Sequence, residues 1–130
     1  MKSDDELKKE NPELYKVARE GGTEAPFSSK FLDHNEKGTY NCAVCANPLF
    51  PSDTKFHSDI QGLAGWPSFD EVIPGSVEYK VDDSFGMHRT EVLCAKCKSH
   101  LGHLFDDPEA KTGKHFCANG VCLEFQKEDK

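Results

Sequence analysis

Thr90-Glu-Val-Leu-Cys94-Ala-Lys-Cys97 is the stretch that decides the fold. Four residues of strand character run directly into two cysteines separated by two residues. The same arrangement occurs upstream, where Tyr40-Asn41 leads into Cys42-Ala-Val-Cys45. Two intervening residues let both thiolates of a pair reach one ion at a tight turn, and two such pairs complete a closed tetrahedral site. The spacing predicts one structural zinc ion on Cys42, Cys45, Cys94 and Cys97. A redox-active CxxC usually opens a helix, and no helical pattern follows either pair. A metal bridge between such distant pairs requires a sheet between them.

Outward from the cysteine pairs, the chain changes texture at Tyr40. From there to the end it reads as short strand-like pieces broken by Gly, Pro and Asp. Val77-Glu-Tyr-Lys-Val81 alternates with period two, and His115 to Gln126 alternates around Asn119-Gly120. Upstream, Ser3 and Glu6 have capping-box spacing, which predicts a short helix near Asp4–Lys9. Asn11-Pro12 is an N-cap and first-turn pair. It opens a second helix that carries Leu14, Tyr15 and Ala18 on one face and ends at Gly21-Gly22. Residues 23–38, TEAPFSSKFLDHNEKG, read as an irregular crossing. The residues therefore predict a mainly β, mostly antiparallel protein with short N-terminal helices.

The totals set limits. One domain accounts for 130 residues. The chain is 36% hydrophobic and 30% charged, with net charge −7. So polar a chain benefits from a metal cross-link. The acidic balance, without a basic patch, argues against nucleic acid as a partner. No apolar run reaches the roughly 18–20 residues of a membrane span, and the N-terminal stretch lacks the apolar segment of a secretory signal. The expectation is a cytoplasmic protein with no membrane partner, in which six cysteines serve metal binding or thiol chemistry.

Removing the four metal cysteines leaves Cys117 and Cys122. A cysteine without context is usually an inert buried hydrophobe. Here Lys114 and His115 precede Cys117, and His100-Leu-Gly-His103 follows the second cysteine pair. Cations near a thiol favour its nucleophilic form, and imidazole delivers protons near neutral pH. Gly65-Trp66-Pro67-Ser68-Phe69 holds the only tryptophan in a tight turn, where its ring can wall a pocket. A zinc-ribbon binding module and a thiol redox sensor are the rival classes; neither predicts turnover of a substrate.

Taken in order, these stretches resemble the B-type methionine sulfoxide reductases. The likeness runs from about Tyr15 to Phe125. It rests on Arg19-Glu-Gly-Gly-Thr-Glu24, Tyr40–Cys45 with Pro48-Leu-Phe50, and Gly65–Phe69. Gly86-Met-His-Arg-Thr-Glu-Val92, Cys94–Cys97, His100-Leu-Gly-His-Leu-Phe105 and Phe116-Cys-Ala-Asn119 complete it. The resemblance implies two antiparallel sheets with short N-terminal helices, residues 1–22 as a helical arm and 23–130 as the reductase domain. It implies reduction of methionine R-sulfoxide in proteins. Cys117 would be the nucleophile and pass through a sulfenic acid, Trp66 would contact the sulfoxide methyl, and His100, His103 and Asn119 would line the pocket. A thioredoxin-like dithiol would restore the enzyme.

The chain departs from the family pattern at five places. Ala64 stands where many members keep a second, resolving cysteine, and the preceding Ser58–Leu63 is longer than usual. His115 replaces the usual arginine, while Cys122 and Gly120 replace common serines. Two geometries are open for Cys122. On an unbroken strand, which the resemblance implies, residues 117 and 122 face opposite sides. Across an Asn-Gly hairpin they face each other at roughly 4.5 Å between Cα atoms, within disulfide range. Either Cys122 resolves the sulfenic acid or the reductant attacks it directly.

Overall fold

The computed structural model describes residues 2–56, 65–83, 89–108 and 110–128. Ala64 and Ser58–Leu63 lie outside the described residues, as do Gly86, Met87 and His88 of the Gly86–Val92 motif.

Local signals build the N-terminal helices. Helix α1, Asp4–Glu10, carries the capping box: Ser3 Oγ accepts from the Glu6 amide, and Glu6 Oε1 accepts from the Ser3 amide. Helix α2, Pro12–Glu20, starts with Asn11 Oδ1 accepting from the Leu14 amide. It stops at Gly21, whose φ of 72° suits a residue without a Cβ. Leu7, Leu14, Val17 and Ala18 are buried and join the one core cluster that runs through both sheets.

The strands are β1 (Gly38–Cys42), β2 (Pro48–Pro51), β3 (Lys55–Phe56), β4 (Ser68–Phe69) and β5 (Val77–Asp82). They continue with β6 (Arg89–Cys94), β7 (His100–Asp106), β8 (Lys114–Ala118) and β9 (Leu123–Lys127). They form two antiparallel sheets, of order β2-β1-β9 and β3-β4-β8-β7-β6-β5. Tyr40, Leu49, Phe50, Phe69 and Leu101 fill the core, with Phe50 stacked on Phe69 at 4.3 Å between ring centres.

The alternation in Val77–Val81 marks strand β5, the outer strand of its sheet, where Tyr79 and Val81 are 52% and 60% exposed. One expectation needs correction. The run from His115 to Gln126 is neither an unbroken strand nor a hairpin. Strand β8 ends at Ala118, one 3-10 turn occupies Gly120–Cys122, and β9 enters the other sheet. A distant group enforces this crossing: the Glu24 carboxylate accepts both the Gly120 and Val121 amides, at 2.6 and 3.0 Å.

Candidate active site

The two CxxC turns are built alike. Each ends in a non-glycine residue with positive φ, Ala46 at 67° and Lys98 at 63°. In each, the amide of that residue donates to the carbonyl of the first cysteine, over 2.8 Å. The first turn hangs from β1 and the second from β6, one in each sheet. Their four sulfurs meet in a buried group within 4.8 Å of one another. The pairs Cys42–Cys97 and Cys45–Cys94 are each 3.6 Å apart. Tetrahedral ligands at metal–sulfur distances near 2.3 Å stand about 3.8 Å apart, so the donor set fits a metal ion. Thiols hydrogen-bonded by Cys42 and Cys97 drive Cys94 toward the thiolate, and sharing that proton pushes Cys42 up. Such a cluster is poised to release protons to a cation.

The remaining cysteines part company. Cys122 is buried, its Sγ 3.4 Å from the His100 carbonyl, and its own carbonyl accepts from the Ala43 amide beside the first CxxC turn. Cys117 is half-buried. It opens on a cleft of about 80 Å³ lined by Thr23, Trp66, Arg89, Gly102, His103, Phe105, Cys117 and Asn119.

Strand register explains why these side chains meet. Cys117 lies opposite Ser68 on β4 and opposite His103 on β7, so the three share one row across the sheet. Gly102 is required: a Cβ there would overlap the Cys117 carbonyl. The Trp66 indole N–H donates to the Glu24 carbonyl over 3.0 Å. Asn119 is held at both ends, Oδ1 accepting from the Glu24 amide at 3.0 Å and Nδ2 donating to the Leu101 carbonyl at 3.1 Å.

His103 lines the cleft; His100 does not. His100 is buried behind it, 5.4 Å away between ring centres, with Nδ1 2.7 Å from Glu91 Oε2. Its Nε2 is buried without a partner among the described residues. His103 Nε2 lies 2.8 Å from Asp82 Oδ2, which also accepts from Arg89 Nη2 at 3.1 Å. Burial outweighs Asp82 and pulls the His103 pKa below its usual value.

The cations expected near Cys117 sit elsewhere. Lys114 is exposed and 3.9 Å from Asp106. His115 is 0% exposed, its Nδ1 3.0 Å from Asp107 Oδ2 and its Nε2 2.8 Å from Ser68 Oγ. Burial lowers its pKa despite Asp107, so the ring is neutral. It donates from Nδ1 to Asp107 and accepts the Ser68 hydroxyl proton, a tautomer assigned from the network. Cys117 itself is pushed up to about 12, first by burial and then by the Glu24 carboxylate.

Two residues of this site had no role in the sequence reading. Glu24 holds the Gly120–Cys122 turn with its carboxylate and Asn119 and Trp66 with its backbone; burial raises its pKa. Arg89 brings a permanent charge to the cleft wall. Both lie in motifs quoted above, and membership of those motifs was the only signal for either.

A half-buried thiol at a cleft, on a β fold whose two sheets share a buried four-cysteine cluster, fits a thiol-dependent oxidoreductase. The SelR-domain family model matches residues 11–127. A peptide methionine sulfoxide reductase of Methanosarcina barkeri is 50% identical over 131 residues, 99% of this chain and 89% of that protein. A probable methionine-R-sulfoxide reductase B of Caenorhabditis elegans is 48% identical over 120 residues, 90% of this chain and 76% of that one. The mitochondrial methionine-R-sulfoxide reductase B3 of Mus musculus is 44% identical over 98% of this chain and 49% of its own length. Among solved structures, the Mis18 "Yippee-like" domain shares the fold alone, with a TM-score of 0.56 at 13% identity over 73% of this chain and all of that one. The chain belongs to the SelR-domain family, that of the B-type methionine sulfoxide reductases.

Proposed function

We propose that this protein reduces the R epimer of methionine sulfoxide in proteins, with Cys117 as the nucleophile. The observation that carries the reading is the half-buried Cys117 in a cleft walled by Trp66 and His103.

The balance is simple. Cys117 Sγ attacks, the sulfoxide sulfur gains two electrons and becomes the thioether of methionine, and the oxygen leaves on Cys117 as sulfenic acid. Sulfoxide oxygen is a poor leaving group until protonated. A thiol held near pKa 12 enters the reaction still carrying the proton that the oxygen needs. His103 stands opposite Cys117 in register and passes that proton to the oxygen. Arg89 stabilises the charge that develops, and Trp66 offers the methyl end an apolar wall. Asn119 keeps the end of β8 in place, while His100 supports His103 from behind.

Recycling follows from where Cys122 lies. Its sulfur is buried against the His100 carbonyl, and the 119–122 turn would have to open before it could reach Cys117. The reductant therefore attacks the sulfenic acid directly. One thiol of a thioredoxin-like dithiol forms a mixed disulfide and releases water, and the second thiol returns Cys117 to the reduced state. Cys42, Cys45, Cys94 and Cys97 would hold one zinc ion, which would serve structure by tying the two sheets together.

Both sulfoxide epimers should be assayed with a dithiol reductant. The expectation is turnover of the R epimer alone, and none in Cys117→Ser. Mass spectrometry after one oxidation should show Cys117 sulfenic acid or its trapped adduct. A 117–122 disulfide in that experiment would restore Cys122 as the resolving thiol.

A further inference from the structure

Among the described residues, three other than glycine adopt positive φ: Ala46, Lys98 and Phe27. The first two close the CxxC turns, where metal binding justifies the strain. Phe27, with φ of 63°, is nowhere near that cluster in sequence. It is also 70% exposed, more than Tyr79 or Val81. A bulky residue in the left-handed region is disfavoured by its Cβ, and an exposed ring gains nothing from burial. Such strain persists only where surrounding structure imposes it, and it gathers at binding sites.

The imposing contacts lead to the cleft. The Phe27 amide donates to the Gly65 carbonyl over 2.7 Å, and Ser28 closes the turn on the Ala25 carbonyl through Oγ at 2.6 Å. Pro26 packs so tightly on Gly65 that a Cβ there would stand 2.7 Å from Pro26 Cβ. Gly65 precedes Trp66, whose indole is tied to the Glu24 carbonyl. Thr23 and Trp66 both line the cleft. The loop that displays Phe27 is thus fastened to the cleft wall on both sides.

The cleft is small. A volume of about 80 Å³ takes the tip of one side chain. A substrate chain must find further binding energy outside it, and remote contacts of this kind contribute to rate as well as affinity. Methionines occupy apolar surroundings in proteins, so an oxidised methionine is commonly flanked by apolar side chains.

We propose that Phe27 docks the polypeptide that carries the oxidised methionine, packing against an apolar side chain beside it. The inference rests on the function proposed above. The test compares kcat/KM on three substrates: free methionine R-sulfoxide, a peptide whose R-sulfoxide is flanked by leucines, and the same peptide flanked by serines. In Phe27→Ser the leucine-flanked peptide should lose about fivefold to tenfold, chiefly through KM. The other two substrates should stay within about twofold, and Phe27→Leu should retain most of the preference. An equal loss on all three substrates would mean a structural role and overturn the proposal. No loss on any would overturn it too. A loss seen only when a protein dithiol replaces a small one would assign the surface to the reductant instead. Wild type inactive on all three substrates would refute the function itself, which is a separate outcome.

Discussion

At the four-cysteine cluster the sulfurs crowd within 4.8 Å of one another, in two pairs 3.6 Å apart. In the cleft one sulfur, Cys117, faces His103 and Trp66 with no second thiol beside it. In the first group hydrogen bonds among the thiols share the protons unequally, driving Cys94 toward the thiolate and pushing Cys42 up. In the second, burial and a nearby carboxylate hold the proton on. The same side chain is prepared for a cation in one place and kept protonated in the other. The difference comes from neighbours alone: sulfur and turn amides on one side, Glu24 and an apolar wall on the other.

The sharpest way to break this division is to exchange the effects. Cys117→Ser should lower turnover about a thousandfold or more while leaving the melting temperature within a few degrees. Removal of the metal by a strong chelator should do the reverse. A structural zinc ion is worth roughly 10–16 kcal/mol in small metal-folded peptides, against a typical domain stability of about 5–15 kcal/mol. The expected result is a collapsed thermal transition, and a chelator-stripped sample with an unchanged melting curve would refute it.

Thiol reactivity sharpens the comparison further. A thiol of ordinary pKa, about 8.5, is roughly a quarter ionised at pH 8, whereas one near 12 is ionised in roughly one molecule in ten thousand. A raised pKa means less thiolate at every pH below it. Alkylation of Cys117 by iodoacetamide should therefore be slow at pH 8 and keep rising tenfold per pH unit past pH 10. A plateau near pH 9 would show that some group offsets the burial. A smaller effect is expected at the Asp107–His115–Ser68 chain below the cleft. Asp107→Asn should destabilise by about 1 kcal/mol in urea denaturation, because an amide oxygen accepts the buried His115 Nδ1–H more weakly than a carboxylate does.

Sequence features of short range were legible. The capping box at Ser3, the αL stop at Gly21 and both CxxC turns need only neighbours a few residues away, so their spacing identifies them. The features that escaped depend on partners far along the chain. Nothing between Cys117 and Cys122 announces that the strand changes sheets, because the group that forces the turn is Glu24, 96 residues before Gly120. The exposed face of β5 escaped for a related reason: alternation reports that a strand exists, and only the strand order shows what covers it. His115 was expected to supply a charge. Its complete burial between Asp107 and Ser68 could not be inferred from proximity to Cys117 in sequence.

The crossing from β8 to β9 also bears on how the chain comes together. Strand β9 pairs with β1, and the side chains of Asn41 and Gln126 meet across a separation of 85 residues. The smaller sheet is therefore sealed by its earliest and latest strands, and contacts of such long span slow folding because loop closure precedes their reward. During synthesis the first CxxC turn emerges long before the second, which lies 49 to 55 residues further on. The nascent chain must carry two thiols without their partners until the second turn emerges, and an open strand edge until the last strand leaves the ribosome.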